Sequence, residues 1–165
     1  DAVPRLLRPG FITLSQLRAV VPDAVAGSDA PAPRAPGSDA KHYAPATSLS
    51  IVNSRTLEEV VAQLTADHEK VAVLAMRPPR LANRYMTWIN AGRRADVYAR
   101  ELYVNLRTLD KSGAKEILVE EVPPGESWDA VRDRLRRAAS VENLVTVDPD
   151  IAALRADFGE DIGLP

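Results

Sequence analysis

Lys41-His42-Tyr43-Ala44-Pro45 sets an ammonium, an imidazole and a phenol side by side at the end of a long stretch of Ala, Pro, Gly, Ser and Asp. A phenol offers a stacking face and a hydroxyl donor, and an imidazole exchanges a proton near neutral pH. Compositional linkers normally carry no such groups. Taken alone, the motif has a plainer and commoner reading, a polar linker end whose Tyr43 anchors the loop on the domain that follows. Other polar clusters have weaker claims. His68 stands between Asp67 and Glu69 with no second ligand near it, as expected of a solvated residue at a helix end. Arg132, Arg134, Arg136 and Arg137 crowd one segment and suggest an RNA-facing surface. Asp129 and Asp133 precede several of them at helical spacing, which favours a salt-bridged solvent face instead. Arg77-Pro78-Pro79-Arg80 and Gly92-Arg93-Arg94 follow strands, where α/β folds place ligands, but they lack the glycines of a phosphate loop. Asp110, Glu120 and Glu121 make no obvious acid/base pair.

The elements that must position these groups fall into a clear order. Val3 to Arg8 suggests a short strand, Pro9-Gly10 a turn, and Thr13 the cap of a helix over Leu14 to Val21, with Leu14, Leu17, Val20 and Val21 as its apolar stripe. One strand and one short helix cannot bury a core, so residues 1–22 are expected to be the last piece of an upstream domain. Residues 23–45 hold almost nothing large and apolar and include Pro31, Pro33 and Pro36, which predicts an extended or mobile linker. Beyond Pro45 the pattern becomes regular. Strands are predicted over Ser48 to Asn53, Val71 to Met76, Tyr85 to Asn90 and Ile117 to Val119. Helices are predicted after Thr56, with a Thr56/Glu59 capping box, from Asp96 to a stop at Gly113, and after a Ser127 cap. Leu144 to Val147 suggests a last strand, and Asp148-Pro149 opens a short helix ending near Gly159.

Strands that are apolar on both faces and alternate with amphipathic helices imply a mainly parallel sheet covered on both sides. The expected fold is therefore α/β: a small three-layer, Rossmann-like domain over residues 46–140, preceded by the linker and the strand–helix remnant. Residues 141–165 form a C-terminal extension. The chain has 165 residues, a net charge of -2 and 45% hydrophobic residues, with no overall push toward nucleic acid or membrane. It contains no Cys, which excludes disulfides and thiolate metal sites, and its two His are far apart, so no metal centre is expected. No apolar run has the length of a membrane span, and a cytoplasmic location is expected.

Leu6-Leu7-Arg8-Pro9-Gly10-Phe11-Ile12-Thr13 at the start and the Lys41-His42-Tyr43-Ala44-Pro45 linker end together resemble the two-domain threonylcarbamoyl-AMP synthases. In that family a YrdC-like catalytic domain ends in a Leu-Arg-Pro-Gly motif and is joined to a smaller domain through a His-Tyr-Ala-Pro linker. Leu106-Arg107-Thr108-Leu109-Asp110, Gly113 and Ile117-Leu118-Val119-Glu120 follow the pattern of the family's C-terminal domain, as does the segment around Asp133-Arg134-Leu135. The resemblance covers residues 3–140. One departure is Pro36-Gly37-Ser38-Asp39-Ala40, which puts small and acidic residues where family linkers carry large or basic ones.

The resemblance implies that Arg8 and Tyr43 contact ATP, that Lys41 and His42 make further linker contacts, and that most of the catalytic domain lies upstream of Asp1. It implies an enzyme condensing L-threonine, bicarbonate and ATP into threonylcarbamoyl-AMP and diphosphate for tRNA t6A modification. Magnesium would accompany the nucleotide, and tRNA would be engaged only indirectly. No tightly bound cofactor and no catalytic residue is expected in this portion, which would serve as active-site lid and its anchor, packed on the YrdC-like domain and inactive alone. The different-class alternative is a non-catalytic α/β interaction or small-ligand-sensing domain. A third is an unrelated α/β enzyme.

Overall fold

A computed structural model of the chain describes residues 3–27 and 44–139. The elements in chain order are β1 (Arg5–Leu6), α1 (Leu14–Arg18), β2 (Val25–Ala26), β3 (Ser48–Val52), α2 (Leu57–Ala66), β4 (Val71–Ala75), β5 (Met86–Asn90), α3 (Ala95–Asp110), β6 (Glu116–Glu120) and α4 (Glu126–Ala138). The last strand and helix expected beyond Leu144 lie outside the described residues.

β3 to β6 form one parallel sheet in the order β3-β6-β4-β5. β4 is buried at all its positions, the consequence of a Val-Ala-Val-Leu-Ala run with no polar residue to turn toward water. Successive side chains leave opposite faces of a strand. Val71, Val73 and Ala75 accordingly meet Leu57 and Val61 of α2, while Ala72 and Leu74 meet the α3 and α4 side. There Tyr98, Leu102, Leu106 and Leu109 of α3 and Trp128, Val131 and Leu135 of α4 close the larger core. Tyr98 packs edge-on against Trp128 with centroids 5.5 Å apart. The three-layer α/β architecture expected from the sequence is the one observed. β4 and β5 are adjacent and parallel, yet residues 76–85 between them contain no helix. That connection is pinned to the α2 side, where the Asn83 amide donates to Thr65 Oγ1 at 2.9 Å and the Trp88 indole donates to the Arg77 carbonyl at 2.8 Å.

Local expectations differ from the structure in four places. Thr56 is the N-cap of α2, but its backbone is already helical (φ −97°, ψ −7°) and its side chain caps no amide, so the capping box with Glu59 does not form. Thr56 Oγ1 instead faces the Asn53 carbonyl, at 3.4 Å. The N-cap of α4 is Gly125, not Ser127: the Pro123-Pro124 turn enters the helix with Gly125 at φ +118°, a region L side chains avoid, and Ser127 falls inside the first turn. α1 ends at Arg18 and buries none of its residues, and Val20, expected on its apolar stripe, is 82% exposed. The stretch expected to be linker starts as structure, since Val25–Ala26 pairs in parallel with Arg5–Leu6 and Ala24 is buried.

Leu102 is fully buried between α3 and the sheet. Leu102→Ala is expected to cost about 2–5 kcal/mol, read as a lower urea midpoint with an unchanged slope.

Candidate functional site

Arg8 sits on the stretch that runs from β1 through Pro9-Gly10 into α1. Its geometry starts at Thr13, whose hydroxyl accepts from the Gln16 amide at 3.2 Å while its own amide donates to Gln16 Oε1 at 3.0 Å. This reciprocal capping box fixes the start of α1. The helix start is then tied to α4, because Ser15 gives both its amide (2.7 Å) and its hydroxyl (2.6 Å) to the Glu126 carboxylate. About two turns further along α4, Asp133 accepts from Arg8 Nη2 at 3.2 Å. Arg137 Nε donates to both oxygens of the same carboxylate at 3.2 Å. An open cleft of about 580 Å³ lies between this segment, α3 and α4, with Phe11, Gln16, Asp96, Arg100 and Arg134 among its walls.

The arginines of α4 largely follow the expected pairing. Arg132 pairs with Asp129 and also donates to the Pro123 and Gly125 carbonyls, at 2.8 and 3.1 Å. Asp133 serves Arg137 as expected, but it also holds Arg8, which is distant in sequence. Helical spacing exposed the first contact and had no means of finding the second. Nothing local in either segment signals it, because the stretch from Arg8 to Thr13 is strand end and turn, whose span is not set by helical spacing.

At the carboxyl ends of the strands a second polar cluster forms where β3, β6 and β4 meet. Glu120, 1% exposed, accepts from the Met76 amide at 2.6 Å and from the Ser54 hydroxyl at 2.5 Å. Arg77 Nε lies 3.9 Å from it, and the same guanidinium pairs with Glu58 and sits over Trp88. The connections leaving β3 and β6 go to opposite faces of the sheet, so Glu120 stands at a topological switch point. Each oxygen of its carboxylate accepts one hydrogen bond, which ties the β3–α2 and β4–β5 connections to the end of β6. Nearby Tyr98 is buried, its hydroxyl has no hydrogen-bond partner among the described residues, and burial, with the Glu120 charge, pushes its phenol well above the usual value. Arg94 pairs with Asp96 at 2.6 Å.

Asp110, at the end of α3, receives the amides of Ala46 (3.2 Å) and Thr47 (2.8 Å), and so fixes the chain just after Pro45. Burial works to raise its pKa, but the hydrogen bonds from Thr47 and Ala46 prevail and hold it below the ordinary carboxylate range. Lys41, His42 and Tyr43 lie outside the described residues, so of the expected nucleotide contacts only Arg8 has an observed place. His68 follows α2 at φ +64°, exposed, with its ring edge-on to Tyr85 at 4.9 Å. Among the described residues no group of three or more His, Cys, Asp or Glu could hold a metal ion, and no helix is long and apolar enough to cross a membrane.

Two outcomes are expected from this geometry. Glu120→Ala leaves the Met76 amide and Ser54 hydroxyl without their acceptor and should cost about 3 kcal/mol in chemical denaturation. The hydrogen bonds from the Ser15 hydroxyl and amide hold Glu126 below the usual carboxylate range. A lowered folded pKa means that the contact contributes fully above the ordinary carboxylate pKa and is lost as pH falls through the lowered value. Hydrogen exchange at the Ser15 amide, compared with intrinsic rates, should therefore show protection at neutral pH that disappears in acid.

Comparison with known proteins bears directly on this arrangement. The family described as "Threonylcarbamoyl-AMP synthase, C-terminal domain" matches residues 12–140. Threonylcarbamoyl-AMP synthase of Pyrococcus abyssi (strain GE5 / Orsay) is 30% identical over 147 residues, covering 82% of this chain and 42% of its own length. That of Bacillus subtilis (strain 168) is 29% identical over 147 residues, with 84% and 42% covered. The crystal structure of P. abyssi Sua5 complexed with L-threonine superposes with a TM-score of 0.68 at 28% identity, over 87% of this chain and 44% of that one. A variant of the same protein, with a histidine and the tyrosine after it both changed to alanine, gives 0.67 at 26%, over 87% and 43%. The chain thus spans less than half the length of these relatives, and it belongs to the threonylcarbamoyl-AMP synthase C-terminal domain family.

Proposed function

We propose that this chain works as the lid, and the anchor of the lid, in an ATP-dependent L-threonylcarbamoyladenylate synthase. The enzyme would condense L-threonine, bicarbonate and ATP into threonylcarbamoyl-AMP and diphosphate, the adenylate then serving tRNA t6A modification in the cytoplasm. The observation that carries this reading is the family match over residues 12–140 combined with the Leu-Arg-Pro-Gly segment just before it. Residues 1–22 would be the end of a YrdC-like catalytic domain, 23–45 the linker, 46–140 the anchoring domain and 141–165 an extension.

Arg8 would meet the nucleotide with its guanidinium, and Tyr43 would close over the same site with a ring face and a hydroxyl donor. Lys41 and His42 would add linker contacts, and magnesium would accompany the phosphates. Catalysis in such a site is mostly positioning and stabilisation of charge on phosphate oxygens, which a lid assists by excluding water. Exposed apolar side chains support a missing neighbour: Phe11 is 81% exposed, Ile12 62% and Val20 82%, all on the segment assigned to the upstream domain. The presence of an adjacent His42-Tyr43 pair in this chain, as in the pair altered in the P. abyssi variant, supports the reading.

In the intact protein that carries this chain, Tyr43→Ala should slow ATP-dependent formation of the adenylate by about tenfold or more. Its melting temperature should stay within about 2 °C of wild type. Wild-type activity in that variant would rule out the lid.

A further inference from the structure

We propose that Asp133 and Glu126 are positioning residues through which α4 sets the place of the Arg8 guanidinium, and hence the affinity for nucleotide. The proposal deepens the reading that Arg8 meets ATP and depends on it.

A strand–turn–helix piece whose helix buries none of its residues draws little on apolar packing to fix its orientation on the domain. Polar contacts tie it to α4 at two separated points. Ser15 is held through two donors by one carboxylate, Glu126, and Arg8 is held by another, Asp133. Two points about two turns apart along one helix fix both the distance and the direction of the segment between them. That segment is itself stiff, with φ set by Pro9 at one end and the Thr13–Gln16 capping box at the other. A long arginine side chain has large rotamer freedom, and pairing with a fixed carboxylate removes part of it before any ligand arrives. Asp133 is suited to the task because Arg137 braces both of its oxygens from the next turn. The C-terminal domain would therefore act on the nucleotide through Arg8 without touching it.

The test is ATP dependence of adenylate formation in the intact protein. Asp133→Asn should raise KM for ATP by about five- to tenfold with kcat within about twofold, the signature of lost uniform binding. Asp133→Glu should recover most of that loss. Glu126→Gln, at an exposed site that threatens folding little, should shift KM the same way because the amide can accept only one of the two Ser15 bonds. In an Arg8→Ala background, Asp133→Asn should add nothing, as expected for residues acting through one another. An unchanged or lowered KM in Asp133→Asn and Glu126→Gln, with KM raised in Arg8→Ala, would overturn the positioning role and leave the nucleotide reading standing. No change in Arg8→Ala would overturn the nucleotide reading itself.

Discussion

Burial of β4 and β6 on both faces is the constraint from which the rest of the domain follows. A strand with no polar face must be covered twice, and parallel neighbours must be joined by crossovers that return the chain to the same edge. α2 takes one face, and α3 and α4 take the other. The order β3-β6-β4-β5 places β6 in the interior of the sheet although it is the last strand in sequence among the described residues. The helix that follows it, α4, is then left on the outside of the larger core with its apolar side inward and its charged side turned away. That charged side is the surface on which the N-terminal segment rests.

The carboxyl edge of the sheet shows how polar groups are used when such a core closes. A buried Glu would be costly unless its oxygens were satisfied, and Glu120 collects a hydroxyl from the β3–α2 connection and a backbone amide and a nearby guanidinium from the β4–β5 connection. At the switch point, where α/β proteins often hold a ligand, Glu120 ties the neighbouring connections together.

Much of this was legible in the sequence because core burial leaves a periodic trace. The Val71–Ala75 run, the stripe Tyr98, Leu102, Leu106, Leu109 and the turn at Gly113 all follow from residue type and spacing. Caps were read less well, since Thr56 and Ser127 have the right chemistry at the wrong backbone angles, and those angles are set by the turns before them. The strand Val25–Ala26 was hidden in a stretch too small and polar to signal burial, because pairing with β1 uses only its backbone. The site was the least legible. Arg8 and Asp133 could be singled out separately, but nothing local in either segment joins them, because their meeting depends on how the segment lies across α4.

The hold of α4 on the N-terminal segment is made of half-exposed ion pairs and hydrogen bonds, with α1 contributing no buried residue. Contacts of this kind are screened by dissolved ions over distances of about 8–10 Å at physiological strength and weaken as salt is added. The sheet domain, held by apolar burial, does not share that sensitivity. The same chain therefore joins a part indifferent to ionic strength to an attachment that responds to it, so concentrated salt loosens the seam well before it reaches the core.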